Sequence, residues 1–157
     1  AARQYAIDNA HRIKGLGPNS WGMSASISPT TGYSGLYGSH PIGVGHKLLE
    51  DGTVAPYGAL SFLPFTPQES IAALKHMYKI PGLVGKYGLY DAYSYQTKAH
   101  GDKPWVAKSY LGIDKGLVLL MFLHRAIRNK AKQLMKGIEF LIVLKQLVVI
   151  LFVHHGH

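Results

Sequence analysis

Apolar residues recur at helical spacing in some stretches of the chain and follow no period in others. "RQYAIDNAHRI" (residues 3–13) reads as a helix that stops ahead of Gly15 and Gly17. Residues 15–45 are then rich in Gly, Ser, Pro and Tyr, with neither a two-residue nor a 3.6-residue repeat, and read as loop. So long a loop is uncommon in a compact domain unless it serves a function. "DGTVAPYGALSFLPF" (residues 51–65) opens with a turn signal, with Asp51 as the turn residue, and continues as a short apolar helix closed by Pro64.

Residues 66–80, "TPQESIAALKHMYKI", carry the clearest helix start. Thr66 stands as N-cap, Pro67 as the first helical residue and Glu69 as the reciprocal capping-box partner. Ile71, Leu74, Met77 and Tyr78 then share one predicted face, and Pro81-Gly82 stops the helix. Residues 82–112 are again loop-like and aromatic, and a long helix is predicted from about Ile113. No convincing run of alternating strand residues falls in residues 1–121, so helix pairs joined by long aromatic loops point to an all-α design.

The pattern changes near Met121. Beyond it, Arg125, Arg128, Lys132 and Lys136 line one helical face, with Ile127, Ala131 and Leu134 on the other, as in a basic amphipathic helix. "GIEFLIVLKQLVVILFV" follows, mostly apolar but interrupted by Glu139, Lys145 and Gln146. A membrane span needs about 20 apolar residues, so this run reads first as a buried helix or strand. The closing "HHGH" reads as a frayed end.

Composition sharpens that division. The formal charge is +9, from 17 Lys and Arg against 8 Asp and Glu. Residues 1–121 hold 11 basic and 7 acidic residues, whereas residues 122–157 hold 6 basic and 1 acidic. All ten Tyr, both Trp and all eight Pro lie in the first part. Two regions are therefore expected, 1–121 and 122–157, the second a basic and apolar helical tail. The tail through residues 124–153 offers an alternative role, weak contact with a membrane surface. Positive charge in the first part is diffuse and no recognition motif accompanies it, so no nucleic-acid partner is expected. There is no cysteine, hence no disulfide framework and no thiolate metal site. Residues 1–15 lack the apolar core of a secretory signal, and the chain does not open on Met, so it reads as part of something longer.

The acids are few and sit among aromatic rings. Residues 86–116 contain Asp91, Asp102 and Asp114 together with Tyr87, Tyr90, Tyr93, Tyr95, Trp105 and Tyr110. Sugar C–H faces stack on such rings while sugar hydroxyls need polar partners, so this density points to a saccharide site. Asp91, in "LYDAY", reads as a cavity acid or as a cap; Asp114, in "GIDKG", reads as a cavity acid or as the cap of the helix it begins. Trp21, Tyr33, Tyr57, Tyr93 and Trp105 are the stacking candidates, each otherwise a core residue. His40 and His46 lie in a Gly-rich loop with no metal-ligand spacing, and neither metal nor cofactor is expected.

Five phrases in order carry a family resemblance: "NSWGMSAS" (19–26), "GYSGLYG" (32–38), "DGTVAPYGALSFLPFTPQES" (51–70), "YGLYDAYS" (87–94) and "WVAKSYLGIDKGLVLLM" (105–121). Residues 1–121 resemble the C-terminal portion of the glucoamylase-like glycoside hydrolases, a bacterial family that includes endo-β-1,2-glucanases. The resemblance implies part of an (α/α)6 toroid, with the active site in its central cavity. It implies hydrolysis of a β-linked glucan by a monomer acting in the periplasm or outside the cell. It points to Asp91 and Asp114 as the catalytic carboxyls. A carbohydrate-binding remnant of the same fold, without catalysis, is the alternative.

Three positions depart from the family pattern. Ile27 stands where the tryptophan motif continues to an acid, Lys115 where a Gln follows the "GID" aspartate, and Phe122-Leu123-His124 where "ENY" is expected. A lysine beside Asp114 favours the ionised carboxylate and opposes a proton-donor role.

Overall fold

The computed structural model describes residues 1–39, 49–97 and 101–153, with residues 140–153 as backbone alone. His40, His46 and the final "HHGH" fall outside the described residues. Contacts divide the chain into two compact units, Ala1–Phe122 and Leu123–His157.

In the first unit the chain runs α1 (Ala2–Asp8), β1 (Ser26–Ser28), β2 (Gly32–Ser34), α2 (Pro56–Leu60), α3 (Pro67–Met77), β3 (Val84–Gly85), β4 (Gly88–Leu89), β5 (Ala92–Ser94) and β6 (Trp105–Ala107). A long helix, α4 (Gly112–Val153), then begins. The strands form three two-stranded antiparallel sheets, β1-β2, β3-β4 and β5-β6. The all-α expectation is corrected in that respect. Strands of two or three residues place at most two side chains on a face, too few for a two-residue alternation to register in the sequence.

Helix α1 is shorter than its pattern. It ends at Asp8, where the Asn9 side chain donates to Tyr5 O at 2.8 Å, and turns carry the chain on to Ile13. Helix α3 begins at Pro67, but the capping box is not formed. The Thr66 hydroxyl donates backwards to Phe62 O at 3.3 Å and makes no cap. The buried face of α3 is Ser70, Ala73 and Met77, while Ile71 and Tyr78 are exposed. Small residues win that face because α3 packs close on α2, where Ser70 Oγ donates to Ala59 O at 2.9 Å. Asp51 makes the expected turn, its carboxylate accepting from Thr53 N at 2.9 Å.

The core gathers Trp21, Val54, Met77, Leu83 and Tyr93. A reciprocal pair of backbone hydrogen bonds between Val54 and Tyr93, at 2.8 and 3.0 Å, joins the segment before α2 to β5. Strand β1 also lies against β5. Gly22 lets the chain pass directly over α2. It has φ +110°, and a Cβ there would stand 2.7 Å from Ala59 N.

In the second unit α4 continues as a single helix to Val153. Ile127, Leu134, Met135 and Ile138 are exposed on it. Among the described residues no helix is long and apolar enough to cross a membrane.

Replacing Gly22 with Ala forces an L side chain into left-handed backbone and against the α2 main chain. It should lower the free energy of unfolding by about 2 kcal/mol or more, seen as a fall in the urea midpoint at unchanged slope.

Candidate functional site

Asp91 occupies the bend between β4 and β5, and the backbone around it is held from three directions. Tyr90 N donates to Leu83 O at 2.8 Å, Asp91 N to Ser109 O at 3.0 Å, and Tyr93 pairs with Val54. The side chain is 4% exposed. Its Oδ2 accepts from Ile27 N in β1 at 2.8 Å, and its buried Oδ1 meets no donor.

Asp114 lies in the first turn of α4, where the helix dipole favours negative charge. It is also buried, and its Oδ2 meets no donor. Burial first, and then the hydrogen bond and charge of Asp91, push its pKa from 3.8 up to about 7, with Lys115 pulling the other way. Two buried carboxylates within hydrogen-bond reach cannot both ionise cheaply. A proton retained on Asp114 turns their repulsion into a hydrogen bond.

The pair forms part of the wall of a cleft of about 410 Å³. Tyr57 of α2, Leu74 of α3, Tyr78 just past its end, and Tyr87 and Tyr90 around β4 supply ring and aliphatic surface, and Asp91, Asp114 and Lys115 the charge. Apolar walls with a few convergent polar groups are the usual character of a small-molecule site. Tyr110 orders one wall. Its ring lies 5.5 Å from Tyr87 at 75° and 4.9 Å from Tyr90 at 32°, and its hydroxyl accepts from Tyr87 N at 3.1 Å. Gly85 makes room for this cluster, since a Cβ there would fall on the Tyr110 hydroxyl and the Tyr90 ring.

Of the residues singled out in the sequence, Asp91, Asp114 and Tyr57 come together at this cleft. The Tyr57 hydroxyl is held by Ser24 Oγ at 2.8 Å and donates to Ala25 O at 3.1 Å. Tyr33 is exposed on β2, opposite Ile27, and close enough to Tyr57 to act on its ionisation. Trp21 is buried in the core, its ring 6.3 Å from Phe62. Tyr93 is fully buried, its hydroxyl 2.7 Å from Ser20 Oγ, and burial drives its pKa well up. Trp105 is half-buried on β6, opposite Ser94. None of these four lines the cleft. The cleft rings Tyr78, Tyr87 and Tyr90 were not among the stacking candidates. The signal that pointed their way was the crowding of tyrosine about Gly85 and Gly88. Among the described residues no cluster of three or more His, Asp or Glu is placed to hold a metal ion.

A family model described as putative glucoamylase matches residues 1–135. The chain belongs to that family. Over 121 residues it is 31% identical to an exo-β-1,2-glucooligosaccharide sophorohydrolase of Parabacteroides distasonis, covering 76% of this chain and 15% of that protein. Its fold matches an endo-β-1,2-glucanase of Chitinophaga pinensis, solved with sophorotriose and glucose, at TM-score 0.63 and 33% identity. A family member from Bacteroides caccae, also solved, matches at TM-score 0.64 and 30% identity. Each structural match covers 80% of this chain and 27% of the solved one. The chain thus spans well under a third of these relatives' length.

Asp114 binds its proton more tightly folded than unfolded. That contribution to stability is fully present below pH 3.8 and is lost as pH rises through about 7. Urea unfolding of the wild type should show this loss, and Asp114→Asn should flatten the profile over the same window.

Proposed function

We propose that this member of the putative glucoamylase family supplies the acid-bearing cleft of a glycoside hydrolase acting on β-1,2-linked glucans. The observation that carries the reading is the buried pair of carboxyls, Asp91 and Asp114, at the wall of an aromatic cleft, with the Asp114 pKa pushed up to about 7 by burial and by Asp91. A carboxyl kept protonated by its surroundings is what the leaving glycosidic oxygen requires. The tyrosine faces of the cleft suit the C–H faces of glucose rings, and the names of the relatives supply the linkage.

In this proposal the pair fills one role, not two. Carboxyls that flank a scissile bond stand about 5–5.5 Å apart in retaining enzymes and about 6.5–9.5 Å in inverting ones. The hydrogen bond and charge of Asp91 add to burial in raising the Asp114 pKa, so Asp114 is the donor and Asp91 the group that faces it. Under this reading the opposing carboxylate comes from elsewhere in the domain. The helices of the first unit then form part of an (α/α)6 ring with the cleft facing its cavity. The place of action, periplasmic or extracellular, rests on the family resemblance.

A second reading, binding without cleavage, is favoured by one position. Ile27, whose amide holds Asp91, carries an aliphatic side chain where the family motif continues to an acid.

Titration of the chain with sophorotriose, followed by NMR, should shift the resonances of Tyr57, Tyr87 and Tyr90. No shift at millimolar sugar would overturn both readings. Reducing ends released from β-1,2-glucan select hydrolysis, and binding without release selects the second reading. Where release is seen, Asp114→Asn should slow it by about 10²–10⁴-fold.

A further inference from the structure

Lys115 follows Asp114 directly on α4, yet its side chain does not turn to the carboxyl beside it. Its Nζ donates to Leu89 O, the backbone carbonyl two residues before Asp91. The same ammonium stands 5.5 Å from the centre of the Tyr110 ring. It makes no ion pair with either carboxyl; among the described residues of the first unit the side-chain ion pairs are Arg12–Glu50 and Lys14–Asp102. A half-buried cation has given up part of its water, and a carbonyl and a ring face replace that water here.

We propose that Lys115 is a positioning residue: it straps the first turn of α4 to the end of β4 and thereby keeps the Asp91 and Asp114 carboxyls in contact. Asp91 is held by Ile27 N through its carboxylate and by Ser109 O, three residues before α4, through its amide, while Asp114 rides on the helix. Lys115 bridges from one to the other, reaching Leu89 from the residue next to Asp114.

The strap and the charge act on the pair in opposite directions, and that separates them experimentally. As a cation, Lys115 draws the Asp114 proton off; as a strap, it maintains the contact with Asp91 that holds the proton on. The hydrogen bond and charge of Asp91 outweigh the cation. The remaining groups that face the pair are Tyr57 from α2 and, through Tyr57, Tyr33 from β2, with Tyr110 on the far side of the ammonium. None of these tyrosines is charged near neutral pH.

The test is a carbon-13 NMR titration of the aspartate carboxyls in the full chain. Lys115→Met removes strap and charge together and should lower the Asp114 midpoint, because the carboxyls part. Lys115→Arg keeps a long cationic donor and should restore the wild-type midpoint. A midpoint that rises or stays put in Lys115→Met overturns the proposal, since removal of the charge alone raises it and a bystander changes nothing. Should Lys115→Met fail to fold, Lys115→Leu, uncharged and without a donor, carries the same expectation and the same refutation. The importance of the strap for catalysis rests on the glycosidase reading, but the titration needs no sugar. Failure of sophorotriose to bind would leave the strap standing, and a failed titration would leave the sugar site standing.

Discussion

The site depends on two carboxyl groups brought within hydrogen-bond reach and taken out of water. Asp91 and Asp114 are 4% and 8% exposed, and on each an oxygen meets no donor. Left ionised together they would repel in a medium that screens poorly. Retaining one proton removes the repulsion and satisfies both acceptors, so the fold that brings them together also sets their chemistry. The first turn of a helix ordinarily favours a carboxylate. Here burial and the neighbouring acid prevail, and Asp114 keeps a proton near neutral pH.

Short strands do the work of aiming. The bend at Asp91 is held by Leu83 O, Ser109 O and the Val54–Tyr93 bridge, so backbone hydrogen bonds from three separate stretches converge on one residue. Sheets of two strands give little stability alone. They persist because Tyr93, Leu83 and Val54 are packed into the same core as Trp21 and Met77. The aromatic residues consequently divide into two classes. Some, such as Trp21 and Tyr93, are buried and hold the bend in place. Others, such as Tyr57, Tyr87 and Tyr90, form the cleft surface.

That division was only partly legible beforehand. The helix from Pro67 was readable because proline and the Pro81-Gly82 stop are local signals. Its buried face was not. Ser70 and Ala73 are inside because α2 approaches too closely for Ile71, and closeness of approach is a property of two elements. The Thr66 cap failed for a similar reason, its hydroxyl having a nearer partner in Phe62 O. Asp91 and Asp114 were singled out by their setting among tyrosines and by the family phrases, but nothing in their spacing says that they touch.

Local chemistry determined where helices start and stop, where turns fall, and that acids and rings concentrate in residues 86–116. Those properties belong to neighbours along the chain, and the chain order alone carries them. Tertiary structure alone decided which rings are buried and which face the cleft, and that Asp91 stands near enough to Asp114 to raise its pKa. It also decided that Lys115 reaches past its own neighbour to Leu89. Each of these is set by distance through space, between residues that packing, not sequence, makes adjacent.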